Sequence, residues 1–228
     1  MLSEESRLLS LIQFCDSALP VGGFSFSQTI ESAATCGVVH DAESLMHYAK
    51  AIVEQVVCTD FVAAKHVLHN FSLAEACHAD RELTVCKVAE EQRRMSERMG
   101  RRLAELSAIL MPEDQTFQRW AELIQRGEVA GNFAISQALL FGANGLDERE
   151  LFVAQYYGTL SIALNAALRC IRLSHLSTQK ILHSLKASAT DAYHAVAKLT
   201  LQEMHSFAPQ IDILSSIHAK GASRMFMN

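Results

Sequence analysis

Apolar residues recur at helical spacing along the whole chain, and very little interrupts that periodicity. The 228 residues include only three prolines and ten glycines. Tracts of alternating Val, Ile, Thr and aromatic residues, which favour strands, are missing, whereas Ala, Leu, Glu, Gln, Met and Arg, which favour helices, are plentiful. We therefore expect an all-α protein in which residues 1–228 form a single-domain bundle of about nine to eleven helices.

Residues with capping preferences mark several of the expected helix ends. Asp41 is a good N-cap, and Asp147 with Glu150 has the spacing of a capping box. The periodicity places the second helix at about 27–36 and one long amphipathic helix at about 84–111. The apolar stripe of the long helix consists of Val85, Val88, Met95, Met99, Leu103, Leu106 and Leu110.

The segment LFVAQYYGTLSIALNAAL, residues 151–168, raises the question of a membrane. It carries no charge over 18 residues, which is at the lower edge of the length that spans a bilayer. It also contains Gln155, Thr159 and Asn165, whose polar groups are costly in hydrocarbon. A helix that is apolar on nearly all sides can equally be the centre of a soluble bundle. We interpret this segment as a buried central helix.

The charge balance and the cysteines narrow the class of protein. The formal net charge is −5, whereas a general nucleic-acid binder is expected to carry a basic excess. No two of the six cysteines form a C-x-x-C motif, so we expect reduced thiols in the core rather than a disulfide framework. The N-terminal sequence MLSEESRLLS lacks the basic region of a signal peptide. Together these features predict a cytoplasmic protein that binds neither nucleic acid nor membrane.

The stretch DSALPVGGFSFSQTIES, residues 16–32, concentrates the turn-forming residues. A phosphate-binding P-loop would need a lysine directly after its last glycine, but the first lysine of the chain is Lys50. A nucleophile elbow would need G-x-S-x-G, and residues 23–27 read GFSFS. The spacing therefore predicts a corner between two helices, with Ser25 or Ser27 capping the second helix.

Two clusters contain side chains that commonly bind metals or proteins, but their residue patterns are less specific than a motif. His66 and His69 lie at i,i+3 on an expected helix, and Cys77 and His78 follow, so a labile transition-metal site is chemically feasible. No H-E-x-x-H motif or cysteine cluster accompanies them, and scattered surface histidines are the alternative interpretation. A dense arginine cluster, interleaved with glutamates, favours a solvated face or a protein interface: Arg93, Arg94, Arg98, Arg101 and Arg102.

The C-terminal sequence GASRMFMN ends in large apolar residues. Met225, Phe226 and Met227 need a protein surface to cover them, either the core of this chain or a groove on a partner. Terminal segments are often mobile until such a surface docks them. The tail is therefore a second candidate for a binding element.

Four motifs, in order along the chain, resemble the UreF family of urease accessory proteins. The stretch DSALPVGGFSFSQTIE is similar to the N-terminal signature of that family, D-S-A-L-P-V-G-G-[FY]-[ST]-H-S-x-G-L-E. SERMGRRL matches an R-M-G-R-R-L stretch, and AALRCIRLSHLSTQKIL matches A-A-V-R-L-x-P-L-G-Q-T-x-G-Q-x-x-L. The tail ASRMFMN resembles the ending S-R-L-[FY]-x-S.

The chain departs from the family pattern at several positions. Phe26 and Asn132 stand where the family commonly has histidine, and Thr29 stands where it has glycine. Residues 172–175 read RLSH in place of P-L-G-Q, and Ala219 stands where a glutamate often follows the histidine near the tail. The chain therefore looks like a divergent member.

The resemblance implies an all-α, non-enzymatic protein that acts in the maturation of urease, a nickel enzyme. It implies a homodimer that binds UreD, also called UreH, and recruits the GTPase UreG, which brings nickel to the urease apoprotein. It also implies no catalytic residue and no directly bound cofactor or metal, because nickel is handled by the complex. A stand-alone nickel carrier that uses His66 and His69 is the alternative.

The resemblance also places the partner-binding residues. They lie in the corner that contains Gly22 and Gly23, which we call the glycine corner, and in the C-terminal tail: Pro20, Gly22, Gly23, Phe24, Ser25, Ser223, Arg224, Met225 and Phe226. We expect Arg224 to fold back towards Phe24 and Ser25, because its planar fork of donors suits the free carbonyls of an irregular turn.

Overall fold

The computed structural model describes residues 3–221 and 224–226, and these residues form helices and no strand. The α-helices are α1 (Glu4–Cys15), α2 (Ile30–Thr35), α3 (Ala42–Val56), α4 (Val62–His69), α5 (Leu73–Cys86), α6 (Glu90–Leu110), α7 (Gln115–Gln125), α8 (Phe133–Ala143), α9 (Glu148–Cys170), α10 (His175–Lys186), α11 (Ala189–Val196) and α12 (Pro209–Ala219). A π-helical segment, Val57–Phe61, joins α3 to α4 without a break. The described residues thus form eleven continuous helices, and the all-α prediction is confirmed.

Helix α9 lies at the centre of the bundle. It contacts α1, α2, α3, α4, α8, α10 and α11. By length and hydropathy it is the one helix of the described ranges that could cross a membrane, but 61% of its most apolar window is buried inside the protein. Leu151, Leu160, Ala163 and Ala167 are among its buried side chains. The interpretation of 151–168 as a buried central helix is confirmed.

A second group of helices packs around α8. Helix α8 lies between α4 and α6, while α7 packs on α6 and α5 packs on α4. At Gly100 the backbone of α6 lies very close to the backbone that leads into α8, because a Cβ built on Gly100 would lie 1.9 Å from the carbonyl oxygen of Gly131. Helix α12 closes the bundle by packing on both α2 and α6.

The predicted caps form the expected hydrogen bonds. The Asp147 carboxylate accepts from the Glu150 N–H, and the Glu150 carboxylate accepts from the Asp147 N–H. Asp41 and Ser44 form the same reciprocal arrangement at the start of α3. Both caps are local in sequence, which is why spacing alone locates them.

The predicted long helix over 84–111 is wrong in its first part. The chain leaves α5 at Lys87 and re-enters a helix at Glu90. Lys87 Nζ lies 2.5 Å from Asp60 Oδ2 in a nearly buried ion pair, which holds the chain away from a continuous helical path. Val85 and Val88 consequently lie 84% and 65% exposed instead of in the apolar stripe. Met99 and Leu103 are buried as expected.

The six cysteines are free thiols, and they are less buried than predicted. Five are partly buried and Cys36 is exposed. Burial raises the pKa of the Cys15 and Cys170 thiols to about 11. A thiol with a raised pKa carries little thiolate at neutral pH, so these two are poor nucleophiles and poor metal ligands.

Candidate partner-docking site

The glycine corner, residues 16–29, is a series of tight turns between α1 and α2. Asp16 accepts a hydrogen bond from the Ala18 N–H through Oδ1 at 2.8 Å. Gly22 has φ +79°, a left-handed conformation that glycine adopts without steric cost, and opens a short 3₁₀ turn over Gly23–Ser25. The turn leaves the Phe24 side chain 75% exposed. The corner thus presents a large apolar group to solvent.

Helix α2 begins later than the spacing predicts. Gln28 and Thr29 have φ +51° and +65°, so the right-handed helix starts only at Ile30. Thr29 is the N-cap residue. The prediction that Ser25 or Ser27 caps α2 is wrong, because two left-handed residues intervene.

The tail, Arg224–Phe226 of the described residues, docks on the last residue of the signature motif. Glu31 accepts from the Met225 N–H through Oε1 at 2.7 Å and from the Phe226 N–H through Oε2 at 3.1 Å. The Phe226 side chain is buried, and the Arg169 guanidinium lies 4.7 Å from its ring centroid. The Met225 side chain stays 56% exposed. One carboxylate therefore anchors the backbone of the tail.

His218 of α12 stands between two carboxylates beneath the tail. Its Nδ1 lies 2.9 Å from Glu91 Oε1, and its Nε2 lies 2.9 Å from Glu31 Oε2. Both ring nitrogens of a histidine are donors only in the imidazolium form, so the geometry suits a cation held by two anions. Arg224 Nη1 adds a second contact to Glu91 at 3.4 Å. Two basic and two acidic groups thus hold α2, α6, α12 and the tail together.

The hydrogen bonds at this cluster shift the acidity of Glu31. Burial by itself would raise the pKa of the Glu31 carboxyl, because desolvation disfavours the charged form. The backbone N–H groups of Met225 and Phe226 and the nearby His218 outweigh that effect and hold the pKa below its ordinary value. The carboxylate form that anchors the tail is therefore the favoured form.

The corner and the tail border one cavity of about 230 Å³. Of the predicted partner-binding residues, Gly23, Phe24 and Phe226 line it. The remaining residues fall into three groups: Pro20, Gly22 and Ser25 lie on the corner, Arg224 and Met225 lie on the tail, and Ser223 lies outside the described residues. The polar contact of Arg224 is with the Glu91 carboxylate and not with carbonyls of the corner, so the expected partner of its guanidinium is corrected.

The histidines of the alternative metal site are paired with carboxylates. His66 Nε2 lies 2.7 Å from Glu75 Oε2, and His69 Nε2 lies 2.9 Å from Glu148 Oε2. The ring of His78 lies 6.4 Å from that of His66. Within residues 3–221 and 224–226, no group of three or more His, Cys, Asp and Glu side chains is arranged to hold a metal ion.

Comparison with known proteins assigns the family. The model of the UreF family matches residues 39–186. The chain is 41% identical over 225 residues to urease accessory protein UreF 1 of Brucella melitensis, which covers 97% of this chain and 92% of that relative. It is 35% identical over 228 residues to the urease accessory protein UreF of Yersinia pestis, which covers 98% of this chain and 99% of that relative. The chain belongs to the UreF family of urease accessory proteins.

The departures from the UreF pattern have structural consequences in this chain. Phe26, at a histidine position of the UreF signature, is 4% exposed and belongs to the core. Asn132, also at a histidine position, is buried and donates through Nδ2 to Asp80 Oδ1 and Thr84 Oγ1.

Thr29, at a glycine position of the UreF signature, adopts a left-handed backbone conformation. A left-handed conformation costs an L-residue about 1–2 kcal/mol, and Thr29 adopts it with φ +65°. Its Oγ1 lies 2.8 Å from the hydroxyl oxygen of Tyr48, and this hydrogen bond offsets part of the strain.

Comparing Thr29→Gly with Thr29→Val separates the strain from the hydrogen bond. Both variants lose the hydroxyl, but only the glycine variant relieves the left-handed strain. We expect the glycine variant to be more stable than the valine variant by about 1 kcal/mol in urea unfolding. A valine variant as stable as the glycine variant would contradict the strain at this position.

The residues that join the corner to the tail were not among the predicted partner-binding residues: Glu31, Glu91, Arg169 and His218. Glu31 closes the UreF signature, and His218 is the histidine of the UreF tail pattern, so both carried a signal. Arg169 is the arginine of the A-A-V-R motif and so carried a signal as well, whereas Glu91 belongs to none of the four motifs. Their role emerges only where α6 and α9 meet the tail.

Proposed function

We propose that the protein is a non-enzymatic scaffold for the maturation of urease in the cytoplasm. In this proposal it acts as a homodimer, binds UreD (UreH) and recruits the GTPase UreG to the urease apoprotein. UreG delivers nickel, and this chain neither hydrolyses a substrate nor binds a cofactor itself. The likeness to urease accessory proteins along 97% of the chain supports the general role.

The docking of the tail on Glu31 is the observation that carries the site assignment. It joins the UreF signature and the UreF tail pattern into one surface. Phe24 and Met225 are large apolar side chains that remain 75% and 56% exposed there. Exposed apolar groups rimmed by charged residues are typical of protein-binding sites, where aromatic and arginine side chains contribute most of the affinity. We place the partner-docking surface at Phe24, Arg224 and Met225.

The carrier alternative has no comparable support. His66 and His69 are bound to Glu75 and Glu148, which are themselves helix residues of the bundle. Each pair satisfies one ring nitrogen locally, as expected for histidines that stabilise helix contacts. We therefore retain the scaffold as the proposed function.

Replacing Arg224 by alanine is expected to lower the amount of UreG that co-purifies with this chain and UreD by about tenfold. The Arg224 side chain is 41% exposed, so its donors remain available to a partner beside their contact with Glu91. The measurement is co-purification of the three proteins from cells that express them together. An intact complex at the original yield would disprove the role of Arg224.

Two exposed residues away from the tail serve as controls for this experiment. Arg119 forms an ion pair with Glu122 and has a side chain that is 47% exposed, so Arg119→Ala is the match for Arg224→Ala. Leu176 is 75% exposed, as Phe24 is, so Leu176→Ala is the match for Phe24→Ala. The controls should leave the complex unchanged, while Phe24→Ala should weaken it.

A further inference from the structure

The segment of residues 172–198, which contains α10 and α11, is basic in a chain that is acidic as a whole. Its only acidic residue is Asp191, so the segment carries a formal charge of +3, whereas the whole chain carries −5. Three exposed histidines lie in the same segment. Its four cationic residues are Arg172, Lys180, Lys186 and Lys198.

These four cations are exposed and have no counter-ion within the chain. In the part of the chain that the structure describes, no carboxylate oxygen lies within 4 Å of any of them. Several arginines of α6 and α7 differ, because each pairs at 2.6–2.9 Å with a glutamate one helical turn away: Arg94, Arg102 and Arg119. Those charges are neutralised within the chain, whereas the charges of 172–198 are open to a partner.

Helix α10 holds this charge on a fixed surface. Its inner residues Thr178, Ile181 and Leu185 are buried where the helix packs on α3 and α9. The Tyr156 hydroxyl donates to the Leu185 carbonyl at 2.8 Å and ties α10 to α9. Twelve residues of helix extend about 18 Å, with Lys180 near the middle and Lys186 at the end. A partner therefore meets charges whose backbone is already ordered, which lowers the entropic cost of docking.

A protein surface fits the outward face of α10 better than nucleic acid or a lipid bilayer does. The net charge of −5 opposes a long polyanion, and α10 has no Phe, Tyr or Trp on which bases could stack. A helix that lies in a bilayer needs a continuous apolar face, but Leu176 is the one large apolar side chain that α10 exposes. An acidic protein surface needs only the unpaired cations.

We propose that the outward face of α10 docks an acidic surface of the urease apoprotein. The proposal rests on the proposed function, in which this chain recruits UreG to that protein. A scaffold with this role needs a second docking surface, because the corner and the tail are assigned to the complex with UreD and UreG. No residue of 172–198 borders the cavity at the corner and the tail, so substitutions on α10 leave that cavity intact.

The test measures the affinity of the purified urease apoprotein for an immobilised complex of this chain, UreD and UreG. In the double variant Lys180→Glu with Lys186→Glu, we expect the Kd for the apoprotein to rise about tenfold. The yields of UreD and UreG in the complex should not change. Added salt should weaken binding of the original complex more than binding of the variant, because salt screens the attraction.

A double variant on α7 is the matched control. Arg119→Glu with Arg126→Glu makes the same change in net charge at two exposed residues. Helix α7 packs on α6, away from α10. The control should bind the apoprotein as the original complex does. The urea unfolding midpoints of both double variants verify that the chain remains folded.

The outcomes separate this proposal from the proposed function. If the original complex binds the apoprotein and the α10 variant binds it equally well, the docking surface on α10 is wrong while the scaffold function stands. An equal loss in the α7 control would show that net charge alone matters, which also overturns the proposal. If a short DNA duplex or phosphatidylserine vesicles bind α10 more tightly than the apoprotein does, the partner class is wrong. No binding of the apoprotein to the original complex would contradict the proposed function itself.

Discussion

Replacing Gly100 by alanine is expected to destabilise the protein by about 4 kcal/mol. The added Cβ would lie 1.9 Å from the Gly131 carbonyl oxygen and 2.6 Å from the Phe133 nitrogen. Both are backbone atoms, so no side-chain rotation relieves the clash, and α6 must move away from the start of α8. The loss far exceeds the gain of about 1 kcal/mol that alanine brings to a helix interior. Urea unfolding, with midpoint and slope both measured, checks the prediction.

Gly158 supplies the matched control for this substitution. It lies within α9, and a Cβ built on it would meet no atom within 4 Å. Gly158→Ala should therefore stabilise the protein by about 0.5–1 kcal/mol through helix propensity alone. If Gly100→Ala behaved like Gly158→Ala, the close approach of α6 and α8 would be wrong. The expected loss of stability in Gly100→Ala would explain the glycine in the SERMGRRL motif as a packing requirement.

Replacing Asp80 by asparagine is expected to cost about 3–5 kcal/mol. Asp80 is completely buried, and its Oδ2 accepts from the N–H groups of Ala130 and Gly131 at 2.8 and 3.1 Å. Its Oδ1 accepts from the N–H of Asn132 at 2.7 Å. Asparagine has the same shape but only one acceptor oxygen, so its NH₂ group faces donors whichever way the amide is turned.

The loss of stability in Asp80→Asn should be measurable at individual backbone amides as well as in the unfolding of the whole protein. Amide hydrogen exchange within Ala130, Gly131 and Asn132 should accelerate in Asp80→Asn, because one of the two oxygens that accept from these N–H groups is replaced by an NH₂ group. Glu82 lies on the same helix and is exposed, so Glu82→Gln should change stability by less than about 0.5 kcal/mol. Unchanged exchange at 130–132 would show that the Asp80 carboxylate does not hold this loop.

Local sequence signals accounted for most of the helices and for little of their arrangement. The Asp147–Glu150 capping box depends on residues three apart, and its spacing identified it correctly. Val85 and Val88 fit an apolar stripe equally well, but the ion pair between Lys87 and Asp60, 27 residues apart, interrupts the helix. Periodicity reports the preference of a segment and cannot report a contact of this range.

For the candidate site too, the sequence predicted the segments involved but not the contacts between them. The resemblance to UreF located the corner at Phe24 and the tail at Arg224, because motifs are readable in order along a chain. The partner of Arg224 was predicted incorrectly, since Glu91 is 133 residues away and its position depends on how α6 packs.

The sequence by itself determined the all-α class, the helix caps, the central apolar helix and membership of the UreF family. These properties follow from periodicity, local hydrogen bonding and motifs, all of which act over short separations along the chain. Only the tertiary structure decided that Glu31 and His218, 187 residues apart, join the corner to the tail. A buried charge requires a partner, and the packing of α12 on α2 and α6 determines which one it meets.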